Sequence, residues 1–564
     1  MAETPKTNNR NAKKDDYLVQ GAILAAAAVL TKIIGVVYRI PLTNILGDEG
    51  NGFYGYAYQV YAIALMLSSF SLPTAVSKLV SARLAVRQRR NAFRVFICSL
   101  AFAFVVGLVI SLAIFFGAGA ISTYAMRSPL SVYALRVLAP GLLIVAVMAV
   151  IRGYFQGLGT MVPTAVSQIL EQIVNAVVSI VGASILISVG SRAGQETGEE
   201  LLGSAYGAAG STLGTVLGAL AGLLFLLFVL CLYKSVIKKQ LKRDRSRHQE
   251  SYSLILKALI FTAVPVIFST AVYNINQIID LTIFNHVMSS QGYVEQEYMA
   301  LQGIYTGKYD TLINVPMAIA NALGASVVPS LTAVVANGTE KQIHNKINQT
   351  FRLTMVIAIP SCVGYFVLAS PLMVLLYNDA SATPAYLLMA GAIVVVLYSL
   401  SSVSNSVLHG LNHMTAPAKN AGIALGVHLV AFCIMMIVFR MNVYALVGGN
   451  IVFALCMCIL NQIKIRKVCG YEIDIMQTFV KPFIAAAVMG IVTFAVHFGL
   501  DLLIGGRFIA TTISIFVAVA VYAVVVLRIG TLSEQDIIDL PMGVRLLKYC
   551  KKLRLLPEEK SETE

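Results

Sequence analysis

The residues of this chain that could do chemistry are charged or amide side chains set inside long apolar runs. Lys32 and Arg39 share the first such run, seven residues apart. Seven residues make nearly two helical turns, which puts both cations on one face, about 10 Å apart along the axis. Cations at two depths suit an anion such as a pyrophosphate, because charge buried without a partner is costly. The alternative is that each side chain snorkels to an interface. Gln168, Glu171, Gln172 and Asn175 follow i, i+3, i+4, i+7 spacing and predict one polar stripe on an apolar helix. Glu171 there could titrate, pair with Arg152, or tie helices together. A later run places Tyr273, Gln277 and Asp280 on one face. The next holds Lys308, then Asp310 and Asn314 one turn apart, then Pro316. Asp280 and Asp310 are carboxylates in apolar surroundings, so one of them could exchange a sodium ion or a proton.

No enzymatic constellation accompanies these groups. There is no Ser/His/Asp set, no phosphate-cradling glycine loop and no cluster with metal-ligand spacing, so neither catalysis nor a metal or cofactor is expected. His409 and His413 are spaced i, i+4 but flank a loop without an acidic partner. Of the eight cysteines, Cys98, Cys231, Cys362, Cys433, Cys456 and Cys458 lie in apolar runs, and Cys469 and Cys550 near run ends, where they read as packing residues.

The elements that must carry these side chains are membrane spans. Of 564 residues, 58% are hydrophobic and 12% charged, against roughly 45–50% and about 25% in soluble domains. Runs of roughly 20 apolar residues, enough to span a bilayer, follow one another from 17–42 to 508–528. They predict an all-α integral membrane fold of about fourteen transmembrane helices. The net charge of +15 collects in alternate loops, which favours membrane topology over nucleic-acid binding. Arg83, Arg87, Arg89, Arg90 and Arg94 fall in one loop, Lys234 to Arg247 in another, then Lys341, Lys346 and Arg352, then Lys464, Arg466 and Lys467. The intervening loops carry Asp48, Glu49, Glu196, Glu199, Glu200, Glu295, Glu297 and Asp379. By the positive-inside rule both termini are cytoplasmic. Residues 1–16 form a polar tail, and no cleavable signal peptide is expected.

Gly55 to Leu79 aligns with Gly307 to Leu331. Gly157, Leu158, Met161 and Pro163 align with Gly410, Leu411, Met414 and Pro417 at nearly the same offset. This predicts two six-helix lobes in parallel repeat, over 17–233 and 254–470, joined by a basic loop at 234–253. Two extra helices over 471–530 follow, then a basic amphipathic tail over 531–564 on the inner leaflet. Gly210, Gly214, Gly218 and Gly222 form a small-residue stripe that predicts close helix packing. Pro73, Pro140, Pro265, Pro316, Pro329 and Pro360 predict breaks or bends.

Three stretches resemble a known family. They are Lys32-Ile33-Ile34-Gly35-Val36-Val37-Tyr38-Arg39-Ile40-Pro41-Leu42, Ser71-Leu72-Pro73-Thr74-Ala75-Val76-Ser77-Lys78, and Arg152-Gly153-Tyr154-Phe155-Gln156-Gly157 running on to Pro163-Thr164-Ala165-Val166-Ser167-Gln168. They resemble the stage V sporulation protein B group of polysaccharide-biosynthesis membrane proteins, which sits with MurJ-type lipid II flippases in the multidrug/oligosaccharidyl-lipid/polysaccharide superfamily. The resemblance implies alternating access around a central cavity, a lipid groove made by the last two helices, and cavity cations that hold a pyrophosphate and sugar head. Lys32 and Arg39 fall at or beside the family's first-helix arginines, and Asp310, Asn314 and Pro316 fit its eighth-helix pattern. That pattern has an arginine after the aspartate where this chain has Thr311, with Lys308 as a substitute. It also has a second-helix cation where this chain has only Tyr54, Tyr58 and Tyr61. The implied cargo is an undecaprenyl-pyrophosphate-linked wall precursor or polysaccharide unit, carried by a monomer among membrane lipids. The competing readings are a multidrug or cation antiporter of the same superfamily and a membrane-embedded glycosyltransferase. The glycosyltransferase would need a large outer loop with paired acids.

Overall fold

The computed structural model describes residues 8–69, 71–244, 249–504 and 507–532, and beyond these Glu534, Asp536, Leu547, Lys548, Lys551 and Lys552. Most of the tail expected over 531–564, Arg245, Arg247, Cys550 and the side chains of Pro265, Tyr273 and Pro329 lie outside the described residues. Sixteen α-helices are described: α1 Asn8–Ser68, α2 Leu72–Ala85, α3 Arg89–Ala120, α4 Val132–Gly157, α5 Val162–Thr197, α6 Leu202–Lys242, α7 Tyr252–Ser290, α8 Glu295–Gly303, α9 Asp310–Asn337, α10 Glu340–Val367, α11 Ala369–Tyr377, α12 Ala382–Gly410, α13 Ala416–Ile437, α14 Val443–Cys469, α15 Lys481–Ile504 and α16 Arg507–Arg528. No strand occurs among the described residues. In lipid every backbone polar group must bond within the protein, and a helix does so within its own segment.

Twelve helical segments among the described residues are long and apolar enough to cross a bilayer. The first, Ala26–Ala85, covers 60 residues and is broken at two points. At Gly47 the backbone turns to φ 68°, a left-handed value that glycine reaches without a Cβ clash. Asn51 Nδ2 bridges this break by donating to the Thr43 carbonyl at 2.9 Å and the Gly47 carbonyl at 2.6 Å. The second break precedes α2. Pro73 sits in the first turn of α2, where a residue without an N–H costs nothing. Pro140 and Pro360, by contrast, lie inside α4 and α10.

The molecule divides into two compact units, residues 1–307 and 308–564. In the first, the glycine stripe of α6 lies directly on α5. A Cβ on Gly214 would stand 2.6 Å from the Asn175 carbonyl, and one on Gly218 2.6 Å from the Glu171 carbonyl. The close approach fixes the backbone that carries the polar stripe of α5. An apolar core formed by Val80, Ala149, Tyr154, Phe155 and Ile255 packs α2, α4 and α7. A smaller core in the second unit contains Leu331, Phe351, Val407 and Tyr471.

The two units repeat one internal contact. In the first, a Cβ on Gly153 would meet the Pro73 carbonyl at 2.7 Å and one on Gly157 would meet Val80 at 2.8 Å. In the second, a Cβ on Gly324 would meet Ser406 Oγ at 2.7 Å and one on Gly410 would meet Leu331 at 2.9 Å. Each member of one pair lies 251 to 253 positions from its counterpart in the other. After each contact the chain restarts with proline in the first helical turn, Pro163 in α5 and Pro417 in α13.

Candidate functional site: an arginine among tyrosines and a paired lysine

In the first unit the polar side chains of α1 and α5 gather around Arg39. Its guanidinium carbon sits 4.2 Å above the ring centroid of Tyr54, a cation–π geometry. Its Nη1 is buried and makes no hydrogen bond among the described residues. Tyr54 stacks on Tyr58 with centroids 5.7 Å apart, and Tyr58 meets Tyr61 at 6.0 Å. The residue before Arg39, Tyr38, accepts a hydrogen bond from Asn175 Nδ2 at 3.2 Å. Asn175 is held in turn by Ser179, whose hydroxyl lies 2.9 Å from its Oδ1. Gly35 leaves room for Gln172, whose Nε2 would stand 3.2 Å from a Cβ at position 35.

Glu171 pairs with Arg152. Nη2 of Arg152 lies 2.7 Å from the Glu171 Oε2, and its Nε donates to Ser167 Oγ at 3.0 Å. The ion pair accounts for both charges, so Arg152 contributes no spare cation here. Gln168, one turn before Glu171, has a buried Oε1 without a hydrogen-bond partner among the described residues. Lys32 is exposed and makes no hydrogen bond or ion pair among the described residues. Gln277 on α7 is exposed and accepts from Gln59 Nε2 at 3.2 Å. Asp280, one turn on, is 4% exposed.

In the second unit Lys308 sits in a π-helical turn, Ile304–Tyr309. It is buried, and its Nζ lies 2.6 Å from Oδ2 of Asp379. The other oxygen of Asp379 accepts from the Ser381 N–H at 2.8 Å. Burial alone would push the Asp379 carboxyl up. The Lys308 and Ser381 hydrogen bonds and the lysine charge outweigh it and hold the carboxyl below its ordinary value. Asp310 is half-buried, and its carbonyl accepts from the Asn314 amide at 2.8 Å, so a donor of Asn314 is spent on its own helix. Asn314 is otherwise exposed.

The structure therefore brings Arg39 onto the tyrosine ladder of α1, with Glu171 of α5 within electrostatic range of Tyr58, and pairs Glu171 with Arg152. Two features were not drawn from the sequence. Tyr54 as the seat of Arg39 is hidden because the two residues lie 15 positions apart on either side of the Gly47 break, and helical spacing does not carry across it. Asp379 as the partner of Lys308 was hidden because 71 residues separate them and no periodicity links a loop acid to a helix lysine.

Twelve described segments long and apolar enough to cross a bilayer define a multi-pass membrane protein. Residues 18–335, more than half of the chain, match the family model described as polysaccharide biosynthesis protein, and the chain belongs to that family. The chain is 25% identical over 552 residues to the lipid II flippase MurJ of Bacillus subtilis (strain 168), covering 94% of this chain and 98% of that protein. Its fold is similar to that of a lipid II flippase MurJ in an inward closed conformation, with a TM-score of 0.62 at 14% identity over 89% of this chain and 98% of the other. It is also similar to an inward-facing multidrug resistance MATE transporter of the MOP superfamily, with a TM-score of 0.60 at 14% identity over 78% and 96%. The protein is thus a multi-pass membrane protein of the polysaccharide biosynthesis family with a fold similar to those of MurJ and MATE proteins.

Proposed function

We propose that this protein flips an undecaprenyl-pyrophosphate-linked saccharide, a wall precursor or polysaccharide unit, across the cytoplasmic membrane by alternating access. The observation that carries this reading is Arg39. A half-buried guanidinium with an unbonded Nη1, seated on an aromatic ring and without a carboxylate bonded to it among the described residues, presents fixed positive charge to an incoming anion. Arginine can bond two phosphate oxygens at once, which a lysine cannot. The family description and the likeness to a lipid II flippase support the choice of a saccharide-bearing lipid as cargo. Both termini lie in the cytoplasm, as the basic loops require, and sodium or a proton drives turnover through Asp280 or Asp310.

Complementation of a flippase-deficient strain tests the reading, scored with membrane abundance and the lipid-linked intermediates that accumulate on depletion. Wild type should restore growth and clear a pyrophosphate-linked intermediate, and Arg39→Ala should do neither at normal abundance. Clearance by Arg39→Ala would place the anion site elsewhere, and export of a cationic dye with no effect on the lipid-linked pool would favour a multidrug antiporter. Orientation is checked separately in a cysteine-free background. Glu199→Cys should react with an impermeant thiol reagent from outside, and Arg243→Cys should not.

A further inference from the structure

Tyr54, Tyr58 and Tyr61 occupy one face of the second half of α1, at i, i+4 and i+7. The rings are not equivalent. Tyr54 is 8% exposed and carries Arg39 on its face, and Tyr61 is 3% exposed. Tyr58, between them, is 41% exposed. It lies within electrostatic range of Arg39, Tyr54 and Glu171, so its open face is flanked by the charged groups of α1 and α5. Two buried polar atoms of these elements have no partner among the described residues: Nη1 of Arg39, whose guanidinium sits on the ring next to Tyr58, and Oε1 of Gln168, one turn before Glu171 on α5.

We propose that Tyr58 is the stacking platform for the saccharide ring next to the pyrophosphate, with Gln168 and Glu171 as acceptors for its hydroxyls. This rests on the reading that Arg39 holds the phosphates of a saccharide-bearing lipid. An aromatic face flanked by unpaired hydrogen-bonding atoms matches a pyranose, which has an apolar C–H face and a rim of hydroxyls. A cationic ligand matches it poorly, because the ring ladder already holds the guanidinium and a second cation would be repelled. A flat aromatic ligand would use the platform but gain nothing from Gln168 Oε1, whereas a sugar hydroxyl donating to it would satisfy an acceptor that has no partner among the described residues.

The test uses the full chain in lipid nanodiscs and two probes: inorganic pyrophosphate, and an N-acetylhexosamine linked through pyrophosphate to a short prenyl chain. Tyr58→Ala should weaken the glycosylated probe about tenfold, the scale of one good aromatic contact, and leave inorganic pyrophosphate unchanged. Tyr58→Phe should stay close to wild type. Because the chain contains no tryptophan, Tyr58→Trp adds a single reporter whose emission the glycosylated probe should change saturably. Equal weakening of both probes by Tyr58→Ala, no weakening of either, or a Tyr58→Trp signal indifferent to the sugar overturns the proposal. If wild type binds inorganic pyrophosphate no better than Arg39→Ala does, the phosphate reading fails instead. The sugar comparison at position 58 still decides the platform.

Discussion

Arg39 in the first unit and Lys308 in the second are both cations held inside a helical unit, and they are held in opposite ways. Arg39 rests on the face of Tyr54 with one nitrogen unbonded. Lys308 is locked 2.6 Å from Asp379. An aromatic seat supports a guanidinium through the ring quadrupole without neutralising it, whereas a carboxylate at ion-pair distance cancels the field that a ligand would feel. A buried charge therefore points to a binding site only when its neighbours leave it charged from the ligand's side. Arg39 meets that condition, which is what supports it as the proposed substrate cation. Lys308, which the family pattern offers as a stand-in for a missing arginine, does not meet it, because its charge is paired with Asp379.

The largest expected effect breaks the first half of this comparison. Arg39→Ala should lower transport by about a hundredfold or more, since charge-assisted hydrogen bonds to a buried anion are the strong ones. Arg39→Lys should keep only part of the activity because the fork is lost. Transport rates normalised to membrane abundance decide it, and an active Arg39→Ala would place the anion site elsewhere.

The second half is tested by stability rather than transport. Asp379→Ala leaves Lys308 buried without its carboxylate and should cost about 3 kcal/mol, read as a lower melting temperature of the purified protein. Replacing the pair together, Lys308→Met with Asp379→Leu, should recover most of the loss. If the double variant is stable but inactive, Lys308 acts on substrate after all. The pair also has a pH signature. The folded Asp379 carboxyl is held below its ordinary value, which is about 3.9 in an unfolded chain. Its contribution is therefore fully present above that value and is lost as pH falls through the lowered folded value. Melting temperatures should show this acid-side loss below about pH 4 in wild type and not in Asp379→Asn.

A smaller effect concerns the contact that both units share. Gly157→Ala and Gly410→Ala each add a methyl group to a filled contact, against Val80 and Leu331. Each should cost about 1–3 kcal/mol, and similar losses would mark the two positions as equivalent. The smallest effect is expected at Lys32. It is exposed and unbonded among the described residues, so Lys32→Ala should change transport by about twofold at most, a change under 0.5 kcal/mol. A loss as deep as that of Arg39→Ala would restore the two-cation clamp that the sequence suggests.

How much of this was legible in the sequence follows from the range over which each feature acts. Helices and membrane residence are local properties of apolar runs, and they could be read directly. The repeat at Gly157 and Gly410 was legible because a turn carries its own small residues and proline. The glycine stripe of α6 foretold close packing, though not that α5 was its partner. Within the site, Glu171 and Arg152 lie 19 residues apart across one connection, near enough for pairing to be one of the alternatives. Whether Arg39 was free, and Lys308 was not, depended on side chains brought together only by tertiary packing. Neither Tyr54 nor Asp379 is announced by spacing.

The central claim is that Arg39 lets this protein carry a pyrophosphate-linked saccharide lipid across a bilayer. The most direct measurement reconstitutes wild type and Arg39→Ala into liposomes holding a fluorescent lipid-linked pyrophosphoryl saccharide and follows the fraction reachable by an impermeant quencher. The account predicts that wild type draws the shielded inner-leaflet pool into reach while Arg39→Ala leaves it shielded, as in empty liposomes. Equal rates for wild type and Arg39→Ala, or no movement by wild type under either a sodium or a proton gradient, would contradict it.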